Sequence, residues 1–303
     1  MKLWKTEGKS QLYLATRRLI SQRKRDALKR QIITSRKQLS SVYLMLYGRH
    51  SARELVEQLR NRVPDDFEIL MIHSAYDRLL PMYQGGPQDL VNELLAFCGT
   101  NRTLAMPAFS LGGRLYDKGQ YFRTHAFDVK RTPSEMGLLT EVFRRTPGVT
   151  RSLHPTHSVC AIGPLAQDIT ATHHLGTTRT GRGTPFDTMA QRRTAIVGLG
   201  IEYWRCITQS HTAEDMLGDE FPVKFEKEPI PTVLIDWQGN KTQYSLTIPQ
   251  SSKLVHNTLL RSLLSEEELI TWKFHGTAMW VAAASRVTER LLEAAKKGIT
   301  IWW

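Results

Sequence analysis

Two short stretches set side chains able to move a proton near neutral pH at spacings suited to acid–base work. RSLHPTHSVCAIG (151–163) sets His154 and His157 three positions apart around Pro155, then runs into apolar sequence. TQSHTAED (208–215) sets Glu214 three residues after His211. A neutral imidazole suits general-base work because it titrates close to pH 7. Glu214 falls on roughly the same helix face as His211, where a carboxylate can orient the imidazole, stabilise its cation or hold a cationic substrate. The plainer readings are a solvated loop for the HPTH pair, a surface histidine for His211, and a first-turn carboxylate answering the helix dipole for Glu214. His73 and Ser74 close another apolar run before a loop. Backbone N–H groups in such loops hold phosphates or an oxyanion, or simply pair their own backbone.

Metal binding is a rival for so many imidazoles: His154, His157, His173, His174 and His211. No Cys-x-x-Cys or His-Glu-x-x-His spacing supports it, and adjacent histidines make poor co-ligands. No metal is expected.

The elements that must position these groups alternate along the chain. Ser51 and Glu54 form a capping box ahead of Leu55, Leu59 and Val63, a helix that Pro64-Asp65-Asp66 stops. EILMIH (68–73), TLAMPAF (103–109), SVCAIG (158–163) and TAIVGLG (194–200) read as strands. PQDLVNELLAFCG (87–99), SEMGLLTEVFRRTPG (134–148) and SHTAEDML (210–217) read as helices. PTVLID (231–236) and TQYSLTI (242–248) resemble a hairpin around Gly239-Asn240. The spacing predicts a closing helix over 277–298, stopped by Lys296, Lys297 and Gly298. Such alternation argues for an α/β protein with a mixed central β-sheet flanked by helices, in which ligands gather at the carboxyl ends of strands. His73, Ser110, His154 and the loop after Gly200 all lie beside strand ends.

The chain of 303 residues carries a formal net charge of +12 at pH 7. Residues 1–40 hold twelve Lys or Arg against Glu7 and Asp26, so nearly all of the excess belongs to the N-terminal segment. Leu12, Ala15, Leu19, Leu28, Ile32, Leu39, Tyr43 and Leu46 recur at helical spacing among those charges. Residues 1–47 are therefore expected to be a basic amphipathic helical extension, and 48–303 the main domain. The extension suits an anionic membrane surface, a protein partner or the protein's own core. Nucleic acid is not expected, because no aromatic-and-basic pattern follows in the body. Cys98, Cys160 and Cys206 are odd in number and unpaired in spacing, which argues against a disulfide framework. MKLWKTEGKS has no apolar signal region, and VYLMLY (42–47) is too short to span a bilayer. A cytoplasmic setting is expected, with an Arg-rich transit peptide as the alternative.

Five blocks, in order, resemble the aminoglycoside 3-N-acetyltransferase family from about Ser51 onwards. IHSA with GGP (72–75, 85–87) is similar to its first strand-end loop, and TLAMPAFS (103–110) to its second strand. FDVKRTPSEMGLLTEVFRRTPGVTRSLHPTHSVCAIGP (127–164) follows the family pattern almost without a gap. GRGTPFD (181–187) takes the place of its glycine–serine–proline turn, and TQSHTAED matches a Thr-x-x-His-x-x-Glu signature.

The resemblance implies an acetyl-CoA-dependent enzyme whose fold is unrelated to the larger acetyltransferase superfamily with an Arg/Gln-x-x-Gly-x-Gly/Ala pyrophosphate loop. TRTGRG (178–183) has Thr178 where that loop needs Arg or Gln. It further implies His211 as general base with Glu214 beside it, and His154 as a second imidazole or a clamp near the thioester. His73, Ser74, Ala75, Arg151 and Ser152 are placed on the cofactor side; Glu202, Trp204 and Thr208 are placed toward the acceptor. Cys160, inside an apolar run, reads as an inert hydrophobe, which favours direct transfer over an acyl-cysteine.

Three departures bear on the acceptor. Ala75 replaces a serine, Thr184 stands for serine before Pro185, and GLGIEYWRCITQSH (198–211) is longer than the family loop. Glu202 next to Trp204 suits a protonated amino sugar, since aromatic faces attract cations. The basic extension instead favours an anionic acceptor, such as a nucleotide-linked or polysaccharide-precursor amino sugar. A binding protein using the basic arm is the alternative outside enzymes, and the presence of both His211 and Glu214 opposes it.

Overall fold

Apolar runs with few polar interruptions become the parallel centre of a sheet because both of their faces are covered. The computed structural model describes residues 31, 34–35, 38–110, 118–176, 178–250 and 257–302. Its strands in chain order are β1 (Ile69–Ser74), β2 (Thr103–Pro107), β3 (Phe127–Asp128), β4 (Thr150–Arg151), β5 (Val159–Ile162), β6 (Thr194–Leu199), β7 (Glu226–Ile235), β8 (Lys241–Gln250), β9 (Leu269–Phe274) and β10 (Thr277–Ala283). Seven form one sheet in the order β4-β5-β2-β1-β6-β10-β9. β2, β1 and β6 are parallel at its centre, and the flanking strands are antiparallel. The mixed α/β architecture follows, with the carboxyl ends of the three parallel strands opening on one edge.

Side chains alternate along β1 and divide between two cores. Leu70 and Ile72 pack with Leu55, Leu59, Leu90, Leu94 and Phe143 on one face, and Ile69 and Met71 pack with Phe186, Met189, Val287 and Leu291 on the other. The first face is covered by the helices Ala52–Arg60, Pro87–Cys98 and Leu138–Arg144, and the second by Pro185–Gln191 and Ala284–Lys296. Ser51 caps the first of these as expected, its side chain accepting from Glu54 N and its own amide donating to the Glu54 carboxylate.

Two elements differ from the sequence expectation. The closing helix begins at Ala284, and 277–283 is instead strand β10, paired with β6 and β9. No breaker separates strand from helix, and Ala283 at the junction offers no capping side chain, so the two read as one apolar run. The helix expected over 134–148 is confined to Leu138–Arg144. Of the helix expected through residues 10–47, most lies outside the described residues; Ser40–Tyr47 is helical and buries none of its side chains, so this part does not cover the protein's own core.

A smaller sheet, β3-β7-β8, stands apart. β7 and β8 form the expected hairpin, in unbroken register over ten residues, while β3 pairs only with Leu234 and Ile235. Pro229 and Pro231 occupy alternate positions of β7 beyond that short contact.

One glycine is fixed by close approach. Trp280 of β10 lies across Gly198 of β6, and a Cβ there would stand 1.9 Å from the indole Nε1. The same indole N–H donates to Ile201 O at 2.7 Å and holds the start of the loop that leaves β6. Gly198→Ala is expected to lower the unfolding free energy by about 3 kcal/mol, because the buried indole has to move. Urea unfolding measures it; a loss within error of zero would contradict this packing.

Candidate active site

The loop after β6 runs through the short helix Tyr203–Cys206 and a 3-10 turn, Thr208–His211, into the helix Thr212–Leu217. Buried Gln209 ties this segment down, its Nε2 donating to Phe186 O at 2.9 Å and to Thr288 Oγ1 at 2.8 Å. Thr212 Oγ1 donates back to Gln209 O at 2.8 Å. His211 is thus held at a fixed junction between two elements.

Its Nδ1 lies 3.0 Å from Glu214 Oε1. The Glu214 side chain is 2% exposed and also accepts from Arg179 Nη2 on one oxygen and from the Trp302 indole on the other. Burial alone pushes that carboxyl's pKa up, but His211, Arg179 and Trp302 together outweigh it and hold it below the usual range. An ionised carboxylate can only accept, so the His211 proton sits on Nδ1 and the lone pair on Nε2. The His211 side chain keeps 21% exposure. Among the described residues no hydrogen-bond partner meets Nε2. This arrangement can take a proton from a substrate.

Behind the pair runs a chain of bonds whose directions are forced. Val159 N–H donates to Ser152 Oγ at 2.9 Å, and the Ser152 hydroxyl donates to His173 Nδ1 at 2.9 Å. His173 Nε2–H donates to Arg179 O at 3.0 Å. Thr180 N and Oγ1 donate to Asp215 Oδ2 at 2.8 and 2.7 Å, and Arg179 N joins them at 3.1 Å. The backbone that aims the Arg179 guanidinium at Glu214 is therefore clamped on both sides. Arg179 Nε is buried without a partner among the described residues.

His154 stacks on His173 with ring centroids 4.4 Å apart, and its Nδ1 accepts from His157 N at 3.1 Å. Burial, then His173 and Arg179, drive the His154 pKa well below 6.5. Burial, then Arg179, His154 and His211, do the same to His157, whose ring rests 4.7 Å from Phe109. Burial takes His173 down to about 3 and His73 to about 4. These rings are neutral at working pH. HPTH is packed into the fold, with His154 buried and His157 half-buried, rather than forming a solvated loop.

Several residues assigned from sequence have other commitments. Arg151 is buried; its guanidinium donates to Ala108 O, Thr132 O and Ser158 Oγ and lies over the Phe127 ring, so it braces backbone instead of facing a phosphate. Ser152 is taken up in the His173 chain, and the Ala75 amide donates to Leu199 O at 2.9 Å, which removes it as an oxyanion donor. Glu202 Oε2 accepts from Arg78 at 2.8 Å, so its carboxylate is already paired. Trp204 packs against the second core, and Thr208 is buried. His73 sits with its ring 6.1 Å from Trp280. Ser74 Oγ is buried with no partner among the described residues, beside Gly137, whose φ is 110°. Among the described residues no group of three or more His, Cys, Asp or Glu is arranged to hold a metal ion.

The model of the aminoglycoside 3-N-acetyltransferase family matches residues 71–293. The chain belongs to that family. It is 29% identical over 177 residues to aminoglycoside N(3)-acetyltransferase III of Acinetobacter baumannii, covering 54% of this chain and 60% of that protein. The chain thus spans about 60% of the length of the curated relatives it matches. Two solved structures share the fold: AAC-IIIb in binary complex with CoASH (19% identical, TM-score 0.68, 83% of this chain and 98% of that one) and AAC-VIa bound to sisomicin (21%, 0.66, 83% and 99%).

Beyond the residues the sequence singled out, Arg179, Thr180, Asp215 and Trp302 complete the cluster. TRTGRG drew notice for its glycines while Arg179 was its active member, and Asp215 adjoined Glu214. Nothing in the pattern pointed to Trp302. Because His73, His154, His157 and His173 stay neutral in the fold and protonate near 6.5 when unfolded, the unfolded chain binds more protons below that pH. Stability is expected to fall by roughly 1.4 kcal/mol per pH unit for each ring on going from about pH 6.5 to about pH 5. Urea unfolding across that range checks it, and a flat profile would contradict four neutral rings.

Proposed function

We propose that the protein is an acetyl-CoA-dependent N-acetyltransferase in which His211 is the general base, acting on a primary amine of an aminoglycoside or related amino sugar. The observation that carries this reading is the His211–Glu214 contact, with the carboxylate buried and triply held while the imidazole keeps an exposed edge. Membership of the family, and a fold neighbour described with CoASH, support acetyl-CoA as the acyl donor. The neighbour described with sisomicin supports an amino-sugar acceptor.

The residues divide the work as follows. His211 Nε2 takes the proton from the acceptor ammonium, Glu214 balances the imidazolium through Nδ1–H, and the freed amine attacks the thioester carbonyl. The ammonium proton passes from His211 to solvent; His211 then takes the second proton from the nitrogen of the tetrahedral adduct and gives it to the departing thiolate as the carbon–sulfur bond breaks, leaving a neutral amide and a thiol. Arg179 and Trp302 keep Glu214 ionised and still. The unpartnered Ser74 hydroxyl, at the carboxyl end of β1, fits a polar group of the acyl donor. His154 is a neutral positioning residue, stacked on the His173 ring that holds the Arg179 carbonyl. Among the described residues no helix is long and apolar enough to cross a membrane.

A second reading concerns the acceptor alone. Arg78 and Arg179 are both paired with carboxylates, so the excess positive charge lies in the basic N-terminal segment, with twelve Lys or Arg against Glu7 and Asp26 in residues 1–40. That favours an amino sugar carrying an anionic group, such as a nucleotide-linked one, over a polycationic antibiotic.

His211→Ala is expected to lower kcat by about 10²- to 10⁴-fold, with a lower thermal midpoint because buried Glu214 loses one of its three donors. Thiol release from acetyl-CoA with a panel of aminoglycosides and nucleotide-linked amino sugars measures both points. Unchanged turnover in the variant would remove His211 as the base, and turnover confined to one acceptor class would decide between the readings.

A further inference from the structure

The helix Ser40–Tyr47 carries apolar side chains that no part of the described structure covers. Leu39, Val42, Met45 and Leu46 are 50, 44, 79 and 64% exposed. Positions 39, 42 and 46 follow helical spacing and 45 adjoins them, so the four make one face rather than scattered contacts. A contiguous apolar face of this kind on a soluble domain marks an interaction surface.

The helix does not hang loose. Gly48 N closes its last turn on Leu44 O at 2.8 Å. His275 Nδ1–H donates to Tyr47 O, and Gly276 lets the Tyr47 ring lie where a Cβ would come within 2.7 Å of it. His275 and Gly276 form the β9–β10 turn, next to Thr277, whose Oγ1 donates to Arg78 O at 3.3 Å. Gly200 N donates to Ala278 O at 2.9 Å, so this turn belongs to the edge where β1 and β6 end. The apolar face is thus anchored to the edge of the sheet that bears the candidate active site.

Charge selects the occupant. The twelve Lys or Arg against two acids in residues 1–40 lead directly into this face. A second copy would bring a like-charged segment against the first, and the repulsion would oppose closure of that contact. A bilayer rich in anionic lipid answers both features, taking the apolar side chains at the acyl boundary and the cations at the headgroups. We propose that Leu39, Val42, Met45 and Leu46 form a docking site for an anionic membrane surface, the charge of the preceding sequence selecting the lipid. The proposal is independent of the acetyl-transfer reading.

Co-sedimentation of the full chain with vesicles tests it, using phosphatidylcholine alone and an equimolar mixture with phosphatidylglycerol. Binding is expected only to the mixture, with salt weakening it. M45E/L46E should lower the partition coefficient by at least about tenfold, through lost apolar burial. Both positions are exposed, so the fold should be kept; V42E serves as the second variant if the double variant fails to fold. Equal binding to both vesicles, no binding to either, or wild-type binding by the variants would overturn the proposal. So would sedimentation equilibrium showing a dimer that the variants dissolve while no vesicle is bound.

Discussion

A carboxylate taken out of water needs a donor on each oxygen, and Glu214 obtains them from three directions. His211, Arg179 and Trp302 arrive from the loop after β6, from the TRTGRG turn and from the C-terminal end of the described chain. Removing any one would leave a buried charge short of a partner. That constraint explains why so much neighbouring polar structure serves Arg179: Thr180 and Asp215 hold its backbone, and His173 holds its carbonyl. The His211 imidazole itself has few contacts. Its orientation is inherited from the carboxylate, and the carboxylate's from the arginine.

The sheet sets where these directions meet. Three parallel strands end together, and each hands its next residues to one edge: His73 and Ser74 from β1, Ala108 to Ser110 from β2, and Gly200 onwards from β6. Arg151 is a second buried cation, answered by carbonyls and a hydroxyl without a direct carboxylate pairing, and burial lowers its pKa to about 10. It ties β4 to the carbonyl of Ala108 and the segment near Thr132, which keeps the HPTH turn in place. The neutral rings of His154 and His173 stack on one another beside the Glu214–Arg179 network, which His173 joins at the Arg179 carbonyl.

Much of this was legible in the sequence, and the reasons for the exceptions are physical. Strands such as ILMIHS and TAIVGL are buried on both faces and stand out as apolar runs, and Ser51 and Glu54 mark a helix start through local chemistry alone. β10 was hidden because an apolar central strand and an apolar helix follow one another without a capping residue. β9 shows alternating burial over LITWKF but went unassigned, as an edge strand carries a weak signal. His211 and Glu214 were readable because their geometry is local, one turn of chain. Arg151 and Arg179 show the limit. Two arginines beside histidine-containing segments look alike in letters, yet one braces carbonyls and the other holds the Glu214 carboxylate, and only long-range packing separates them. Glu202 likewise suggested a cation receptor until Arg78, distant in sequence, proved to be its partner.

The prolines of the smaller sheet have a consequence of their own. Residues two apart on a strand present their amides to the same side, so Pro229 and Pro231 leave one margin of β7 without two successive donors. The unbroken register against β8 puts that gap on the far margin, which β3 covers only at Leu234 and Ile235. A stray strand from another molecule would find carbonyls there but no matching N–H groups. The hairpin therefore resists templating aggregates during synthesis, a protection built into its backbone that does not depend on surface charge.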